Sequence, residues 1–206
     1  MTPPGTFDRV YAAIRQRLRE GLYRPGDRLE PAVISDELNA SVTPVRDALH
    51  RLTGERLVEA PRHEGFRMPV MTERLLRYLY SWHLDLLLLA VTKHQSTDQQ
   101  IFANDDRGEE PVHKHQNALF LAIAQTSGNP EHVAALEALT CRLEPIQRFE
   151  RLFLDETDAE TSAIVRALQA NDRKALRSSL IRYHRRRERI VAELLNAILE
   201  RKTNAL

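Results

Sequence analysis

The sequence predicts a mainly α-helical protein in two parts, a small N-terminal domain and a larger antiparallel helical bundle. Apolar residues recur at helical spacing along most of the 206 residues. The stretch "LVEAPRHEGFRMP" interrupts this pattern with two short apolar pieces around a turn that contains proline, histidine and glycine. Because the pattern changes there, we expect domains at residues 1–70 and 71–206, with Thr72 capping a long helix.

Composition and charge limit the class of protein. Hydrophobic residues make up 42% of the chain and charged residues 29%, which is enough apolar side chain for a folded core. The formal net charge is only +1, so any binding to nucleic acid must rely on a few well-placed arginines. Cys141 is the single cysteine, which excludes a disulfide framework and a cysteine-based zinc finger.

Two stretches bear on localisation. The start, "MTPPGTFDRV", lacks the basic and apolar regions of a signal peptide. The most apolar run, "LDLLLLAV", is too short to span a bilayer and contains Asp85. We therefore expect a cytoplasmic protein with no membrane partner.

The N-terminal part is predicted to hold three helices and a hairpin. The first helix has apolar residues at helical spacing and stops at Gly21, and the second spans roughly Pro31 to Leu38. Ser41 is the predicted N-cap of the third helix, and Pro44 is tolerated in the first turn of that helix. The inward residues of the first two helices are Phe7, Val10, Tyr11, Ile14, Leu18, Val33, Ile34 and Leu38. The hairpin strands are Leu57 to Ala60 and Phe66 to Met68.

Beyond Thr72 the sequence predicts helices alone, separated by polar connections such as "TSGNP" and "QSTDQQIFANDDRGEE". The predicted helices are Thr72–His94, Pro111–Gln125, Pro130–Phe153, Ala159–Ala170 and Arg173–Glu200.

The order of three helices followed by a hairpin is that of a winged helix-turn-helix. The third helix, in "SVTPVRDALHRL", has apolar residues on one side and Thr43, Arg46 and His50 on the other. Such a helix fits the major groove of DNA, where Arg46 matches the acceptors of guanine and Thr43 contacts a phosphate or a thymine methyl. His50 and Arg51 are expected to approach the DNA backbone.

The hairpin tip offers a second DNA contact. Arg62 and His63 can reach an adjacent minor groove, and Gly65 would let the backbone approach closely. The alternative, on pattern alone, is a generic three-helix packing unit with solvated arginines.

The N-terminal stretch "VYAAIRQRLREGLYRPGDRLEPAVISDELNASVTPVRDALHRLTGERLVEAPRHEGF" resembles the DNA-binding domain of the GntR family of bacterial transcription regulators. The residues that match its third-helix motif are Ser41, Thr43, Pro44, Val45, Arg46, Ala48 and Leu49. Three departures stand out. Asn39-Ala40 replaces Gly-Val, Val42 replaces an arginine that contacts DNA in the family, and Arg56 replaces a glycine.

The second part resembles the FCD ligand-sensing domain found in the fatty-acid-regulator subgroup of that family. The phrases "ALFLAIAQTSGNP" and "IVRALQANDRKALRSSL" carry this resemblance. It implies an all-helical antiparallel bundle that binds a small effector such as an organic acid in a central cavity. It also implies a homodimer. Because one winged helix touches too few phosphates for tight binding, we expect two to act together on an inverted-repeat operator in double-stranded DNA. The sequence does not distinguish a repressor from an activator.

Many FCD domains hold a metal with one aspartate and three histidines. The corresponding positions here are Gln116, Phe120, Thr161 and Tyr183. None is a good metal ligand, so we expect no metal and no cofactor, and an effector bound directly by these residues. His83 is expected to add a partial positive charge for an anionic effector. His113, one turn before Gln116, is a candidate to face the same cavity. His184 should point elsewhere.

A displaced histidine that restores a metal site remains an alternative. In that case His113, His115 or His184 would swing into the cavity. Otherwise we expect His113, His115 and His132 to lie at the surface.

Two other functional classes have weaker support. Glu110-x-x-His113 has the spacing of a di-iron motif, but no second such pair accompanies it, so an enzyme is not expected. A protein- or ligand-interaction module without tight operator binding is the remaining alternative, because Val42 removes a DNA contact. The basic stretch "RYHRRRER" is interpreted as a solvated or dimer-edge face, with an extra phosphate contact as the alternative.

Overall fold

The structure is a computed structural model that describes residues 5–93 and 112–203. The predicted polar connection at 95–110, with Glu110 of the di-iron spacing, and the side chain of His113 lie outside the described residues. The chain divides into two compact units, Met1–Met71 and Thr72–Leu206. We call them the N-terminal unit and the helical unit.

The N-terminal unit has the helices and strands of a winged helix-turn-helix. Its elements are α1 (Thr6–Arg19), β1 (Arg28–Leu29), α2 (Pro31–Glu37), α3 (Val42–Gly54) and β2 (Phe66–Arg67). Helices α1 and α2 pack on α3, whose inner residues are completely buried. These are Val45, Ala48, Leu49 and Leu52. They meet Val10, Ile14 and Leu18 of α1, which places the opposite face of α3 outward.

The strand pairing differs from the predicted hairpin. β2 pairs with β1 in antiparallel fashion, a strand that the sequence analysis missed because it is only two residues long. The predicted strand at 57–60 is reduced to a single bridge, in which Glu59 and Arg67 exchange two backbone hydrogen bonds of 2.9 Å. We call the segment from Glu59 to Arg67 the wing. Its strand β2 is paired with β1 on one side and with Glu59 on the other.

One inward assignment in the second helix was wrong. Val33 is 53% exposed, whereas Ser35 is buried and donates a hydrogen bond from its hydroxyl to the Ala32 carbonyl at 2.7 Å. A serine that satisfies its own donor locally can be buried at little cost, so the helix presents Ile34 and Ser35 to the core.

The helical unit contains α4 (Glu73–Lys93), α5 (Val112–Gln125), α6 (Pro130–Gln147), α7 (Thr157–Gln169), α8 (Arg173–Arg189) and α9 (Val191–Thr203). Helix α4 contacts α5, α6, α8 and α9, so it lies at the centre of the unit. Three predicted helix starts have side-chain caps. Thr72, Asn129 and Asp172 accept hydrogen bonds from the backbone N–H groups of Leu75, Glu131 and Ala175.

Two predicted helices are shorter than expected. The helix predicted to end at Phe153 stops at Gln147 and is followed by a 3-10 turn at Glu150–Leu152. The long final helix is interrupted at Ile190, where the backbone leaves helical geometry. Within the described ranges, no helix has the length and apolar character needed to cross a membrane.

Candidate DNA-reading face and buried polar cluster

The outer face of α3 is the first candidate site. Thr43, Arg46 and His50 are exposed and recur at spacings of three and four residues, so they form one stripe along the helix. Ser41 occupies the N-cap position with extended backbone, although its side chain makes no capping hydrogen bond. The structure thus brings the predicted residues of α3 onto one solvent-facing surface, which we call the α3 face.

The side chains of the α3 face differ in the contacts they make with the rest of the protein. Those of Thr43 and Arg46 make no hydrogen bond or ion pair with any described residue. The imidazole of His50 packs edge-on against the Phe66 ring, with 4.8 Å between ring centroids. Arg46 therefore keeps all its donors for an external partner, whereas His50 joins the helix to the wing.

Arg51 is tied to the first helix. Its guanidinium lies over the Tyr11 ring at 4.1 Å and forms an exposed ion pair with Glu55 at 3.4 Å. Tyr11 in turn donates a hydrogen bond to Glu55 at 2.6 Å. Burial and this hydrogen bond raise the pKa of Tyr11, so the phenol stays protonated. This arrangement fixes α3 against α1, and a DNA contact by Arg51 would compete with it.

The wing tip carries the other predicted residues. Arg62, His63 and Gly65 are all exposed. His63 and Gly65 have positive φ, at 65° and 75°, in a turn closed by the Glu64 N–H and the Pro61 carbonyl. A Cβ at Gly65 would meet no atom within 4 Å, so the glycine serves the backbone conformation of this turn.

Two of the three departures from the family motif occupy strained backbone. Asn39 and Arg56 both have left-handed φ, 48° and 60°, at the ends of α2 and α3. Glycine is the residue best suited to such positions, and asparagine tolerates them better than arginine does. Val42, the third departure, lies in the first turn of α3 with 37% of its surface exposed.

A buried polar cluster forms the second candidate site, in the helical unit. The structure brings together the four positions that correspond to the metal ligands of the FCD resemblance. The Gln116 amide donates to the Thr161 hydroxyl at 3.0 Å, and the Tyr183 hydroxyl makes a long, weak contact of 3.4 Å with the Gln116 carbonyl oxygen. The Phe120 ring packs edge-on against Tyr183 at 5.0 Å.

Two histidines complete this cluster. His83 packs edge-on against Phe120 at 5.0 Å, and its Nδ1 lies 2.9 Å from His184 Nε2. His184 Nδ1 lies 2.7 Å from the Leu180 carbonyl oxygen. The prediction that His184 points elsewhere was therefore wrong. It sits beside Tyr183 on α8, yet both side chains are buried at the junction of α8 with α4.

Both histidines are electrically neutral in the folded protein. Burial, followed by His184 and Arg187, holds the pKa of His83 well below its usual value. Burial also lowers the pKa of His184 to about 3. The prediction that His83 supplies positive charge was therefore wrong, because desolvation disfavours the imidazolium.

A buried ion network lies on the other side of Tyr183. Arg187 is completely buried, and it donates to Glu150 at 2.8 Å and to Glu160 at 2.9 Å. Its guanidinium lies 3.3 Å above the Tyr183 ring. Tyr80 donates to the second oxygen of Glu150 at 2.7 Å. The basic stretch of α8 is therefore not uniformly solvated, and Arg187 was misassigned.

The charges in this network stabilise one another. Burial raises the pKa of Glu150, opposed by Arg187 and Tyr80. Burial alone would lower the pKa of Arg187, but Tyr183 and the two carboxylates outweigh it and raise the pKa. Two carboxylates thus surround one buried guanidinium, with Arg186 approaching Glu160 from a half-exposed position. The two carboxylates balance the two guanidinium groups, so no unbalanced positive charge remains here for an additional anion.

The structure gives different outcomes for the three other histidines that the sequence analysis named. His115 is exposed, as expected. His132 is buried, with Nε2 2.6 Å from the Leu86 carbonyl oxygen, so its expected surface position was wrong. Its hydrogen bond to α4 satisfies the ring inside the bundle. The side chain of His113 is not among those described.

The cluster does not fit the metal site of the resemblance. An amide, a phenyl ring, a hydroxyl and a phenol replace the aspartate and three histidines. Among the side chains that the structure describes, which do not include that of His113, no three histidine, cysteine, aspartate or glutamate residues are grouped to hold a metal ion. The chemistry of this site is therefore hydrogen bonding and ring packing.

Sequence reasoning missed Arg187 and His184 as buried residues, although a signal was present. Leu176, Leu180, Tyr183 and Arg187 follow the spacing of one buried helix face. The charge of "RYHRRRER" masked this periodicity, because arginines are mostly exposed.

Comparisons with known proteins agree with this geometry. Residues 6–68 match the model of the gntR family of bacterial regulatory proteins. The chain is 27% identical over 185 residues to the HTH-type transcriptional regulator McbR of Escherichia coli K12, covering 81% of this chain and 84% of that protein. It is 32% identical over 81 residues to the Nta operon transcriptional regulator of Aminobacter aminovorans, covering 38% and 39%.

Solved structures share the fold. E. coli McbR/YncC aligns with a TM-score of 0.67 at 23% identity, over 92% of this chain and 98% of that one. A protein described as a GntR transcriptional regulator from Rhodococcus sp. RHA1 aligns with a TM-score of 0.75 at 20% identity, over 93% and 98%. The sequence relatives are described as transcriptional regulators, a non-enzymatic class of protein. Residues 6–68 form a helix-turn-helix domain of the gntR family of bacterial regulatory proteins.

Proposed function

We propose that the N-terminal unit binds an inverted-repeat operator as part of a homodimer, and that a small effector bound in the helical unit changes operator affinity. The two units then correspond to a DNA-binding domain at 1–70 and a sensing and dimerisation domain at 71–206. The protein would act in the cytoplasm on double-stranded DNA, as a repressor or an activator.

The α3 face carries this proposal. Arg46 is exposed and has no partner among the described residues, and it lies on the same stripe as Thr43 near the start of the helix. The first turns of a recognition helix are the ones that meet base edges. Arg46 is therefore assigned to base discrimination and Thr43 to register, with Ser41 and Pro44 shaping the first turn.

The wing and the end of α3 supply contacts to the DNA backbone. Arg62, His63 and Gly65 lie at the exposed tip, where they can approach a minor groove or phosphates. His50 packs on the wing, so it can position the wing as well as contact phosphate. One domain makes few phosphate contacts, and two domains acting together give the affinity that an operator needs.

The effector site is assigned to the buried polar cluster. Gln116, Thr161 and Tyr183 offer donors and acceptors beside the ring of Phe120, and His83 lies against the same ring. His113 remains part of the proposal by its place on α5. An effector that binds one conformation of the unit better than another would shift DNA affinity by that difference.

The alternative function, an interaction module without tight operator binding, is favoured by Val42. An apolar, partly exposed side chain stands where the family has an arginine that contacts DNA. If that loss dominates, binding to DNA is weak and independent of sequence.

The deciding experiment is selection of genomic fragments by the full-length protein, followed by sequencing and light scattering of the complex. We expect enrichment of an inverted repeat with half-sites one helical turn apart or a multiple of it, bound by two chains. Fragments enriched without a shared repeat would support the interaction module. A single chain on the enriched fragment would contradict the dimer.

A further inference from the structure

The hydrogen-bond chain through His184 and His83 has a fixed direction. The Leu180 carbonyl can only accept, so His184 Nδ1, 2.7 Å away, must carry a proton. A neutral imidazole has one N–H, so His184 Nε2 is then an acceptor. His83 Nδ1, 2.9 Å from that Nε2, must be the donor. The geometry alone therefore sets both tautomers.

The chain ends in a lone pair. With its proton on Nδ1, His83 presents an unprotonated Nε2, and this atom is buried without a hydrogen-bond partner among the described residues. The residue itself is 1% exposed. A buried acceptor left unpaired is costly, which makes it a strong attachment point for a donor. The Phe120 ring packed against His83 supplies an apolar surface beside it.

We propose that the effector of the helical unit is a small uncharged molecule that donates a hydroxyl or amide hydrogen to His83 Nε2, rather than an organic anion. This inference rests on the proposed effector site in that unit. His184 is a positioning residue in it, because it holds the proton of His83 on Nδ1. The rings of Phe120 and Tyr183 would contact the apolar body of the ligand.

Arg187 is the competing feature, because a buried guanidinium can attract a carboxylate. One of its terminal nitrogens, Nη2, has no hydrogen-bond partner among the described residues. The guanidinium nevertheless already faces Glu150 and Glu160 and lies over the Tyr183 ring. An anion placed there would meet two carboxylates, and an unprotonated Nε2 on His83 would repel it as well. These groups offset the attraction of Arg187, so the site favours an uncharged ligand that donates a hydrogen bond.

The first test reads the tautomers directly in full-length protein labelled with 15N-histidine. At neutral pH we expect both His83 and His184 to show a protonated Nδ1 and an unprotonated Nε2. Loss of each signal in His83→Phe and His184→Phe assigns it. In His184→Phe, the His83 ring loses its acceptor and should populate both tautomers. A proton on His83 Nε2 in the parent protein would overturn the proposal.

The second test uses three probes with one carbon skeleton, benzyl alcohol, benzamide and benzoate, on the same labelled protein. We expect the alcohol or the amide to shift His83 Nε2 and to bind at least about tenfold more tightly than benzoate, about 1.4 kcal/mol. His83→Phe should abolish the difference, and the exposed control His115→Ala should preserve it. Preference for benzoate, or no binding by any probe, would overturn the uncharged class.

Measuring operator affinity in the presence of each probe separates this inference from the proposed function. If benzoate binds preferentially and changes operator affinity, effector control stands and the uncharged class is wrong. If the alcohol or amide binds through His83 without changing operator affinity, the ligand class stands and effector control at this site is wrong.

Discussion

The α3 face and the buried cluster use polar side chains in opposite ways. On the α3 face, Thr43 and Arg46 are exposed and have no partners among the described residues, so their hydrogen-bonding groups remain available for DNA. In the buried cluster, Gln116 and Thr161 bond to each other, and Arg187 is surrounded by carboxylates. Substitutions on the exposed α3 face should therefore have little effect on folding. Substitutions in the buried cluster should change the free energy of unfolding as well as any ligand binding.

The largest expected effect tests the stability side of this comparison. Arg187→Met removes a buried guanidinium and leaves Glu150 and Glu160 facing each other, so we expect a loss of about 3–5 kcal/mol of unfolding free energy. Urea unfolding followed by fluorescence of Trp82, the single tryptophan, reports on the helical unit. Arg185→Met, at an exposed position on the same helix, is the matched control and should change stability by less than about 0.5 kcal/mol.

A second substitution sharpens that test. Adding Glu150→Gln to Arg187→Met removes one of the unpaired charges while keeping an acceptor for the Tyr80 hydroxyl. The double variant should therefore be more stable than Arg187→Met alone. Equal stability of the two variants would mean that lost packing, rather than unpaired charge, explains the effect.

The next prediction concerns recognition by the α3 face. Arg46→Ala should weaken binding to the selected operator by about 1–3 kcal/mol and relax base preference at one position of each half-site. The physical reason is loss of a bidentate contact to guanine. Fluorescence anisotropy with the operator and its single-base variants measures both effects, and urea unfolding should show little change. Unaltered operator affinity would remove Arg46 from the recognition surface.

The control for Arg46→Ala is Arg62→Ala on the wing. If the wing contacts phosphates, this change should weaken binding to all DNA sequences by a similar factor and reduce the salt dependence of binding. A change in base preference with Arg62→Ala would instead assign direct readout to the wing.

A pH dependence distinguishes the buried cluster further. His83 and His184 are neutral when folded, with the pKa of His184 at about 3, but they titrate near their usual pKa of about 6.5 when unfolded. The unfolded chain therefore binds more protons below that value, and stability present above it is lost as the pH falls. Each histidine should contribute a slope of up to about 1.4 kcal/mol per pH unit.

Urea unfolding by Trp82 fluorescence between pH 7 and pH 5 measures this slope. His184→Phe should reduce it, because one protonating group is removed and the ring volume is partly kept. His63→Gln, at the exposed wing tip of the other unit, should leave it unchanged. An identical slope in His184→Phe would show that His184 is not neutral in the folded state.

The same contrast explains what the sequence could predict. The α3 face was predictable residue by residue, because an exposed stripe opposite Val45, Ala48, Leu49 and Leu52 follows directly from helical periodicity. The buried cluster was predictable only in part. Resemblance aligned Gln116, Phe120, Thr161 and Tyr183, but the hydrogen bond between His83 and His184 joins residues 101 positions apart. Local sequence carries no information on such a pairing.

Arg187 shows why burial of charge is hard to predict. Its partners, Glu150 and Glu160, lie in two different segments, the 3-10 turn and α7. A carboxylate from each must converge before the arginine can be buried, and only the folded structure reveals this. The missed strand β1 has a similar cause, because two residues cannot establish an alternating pattern.

The smallest expected effect lies at the end of α3, where Arg56 has a φ of 60°. A left-handed conformation costs a non-glycine residue about 1–2 kcal/mol, and glycine gives back about 0.5–1 kcal/mol through its greater freedom in the unfolded chain. Arg56→Gly should therefore stabilise the N-terminal unit by about 0.5–1 kcal/mol. Native-state hydrogen exchange at Leu49 and Leu52 measures this unit separately from the helical one. Arg56→Ala is the control, because it removes the charge but keeps the strained backbone, and it should give no gain. If both variants stabilise equally, the arginine side chain itself is unfavourable there, and the conformational argument for this position fails.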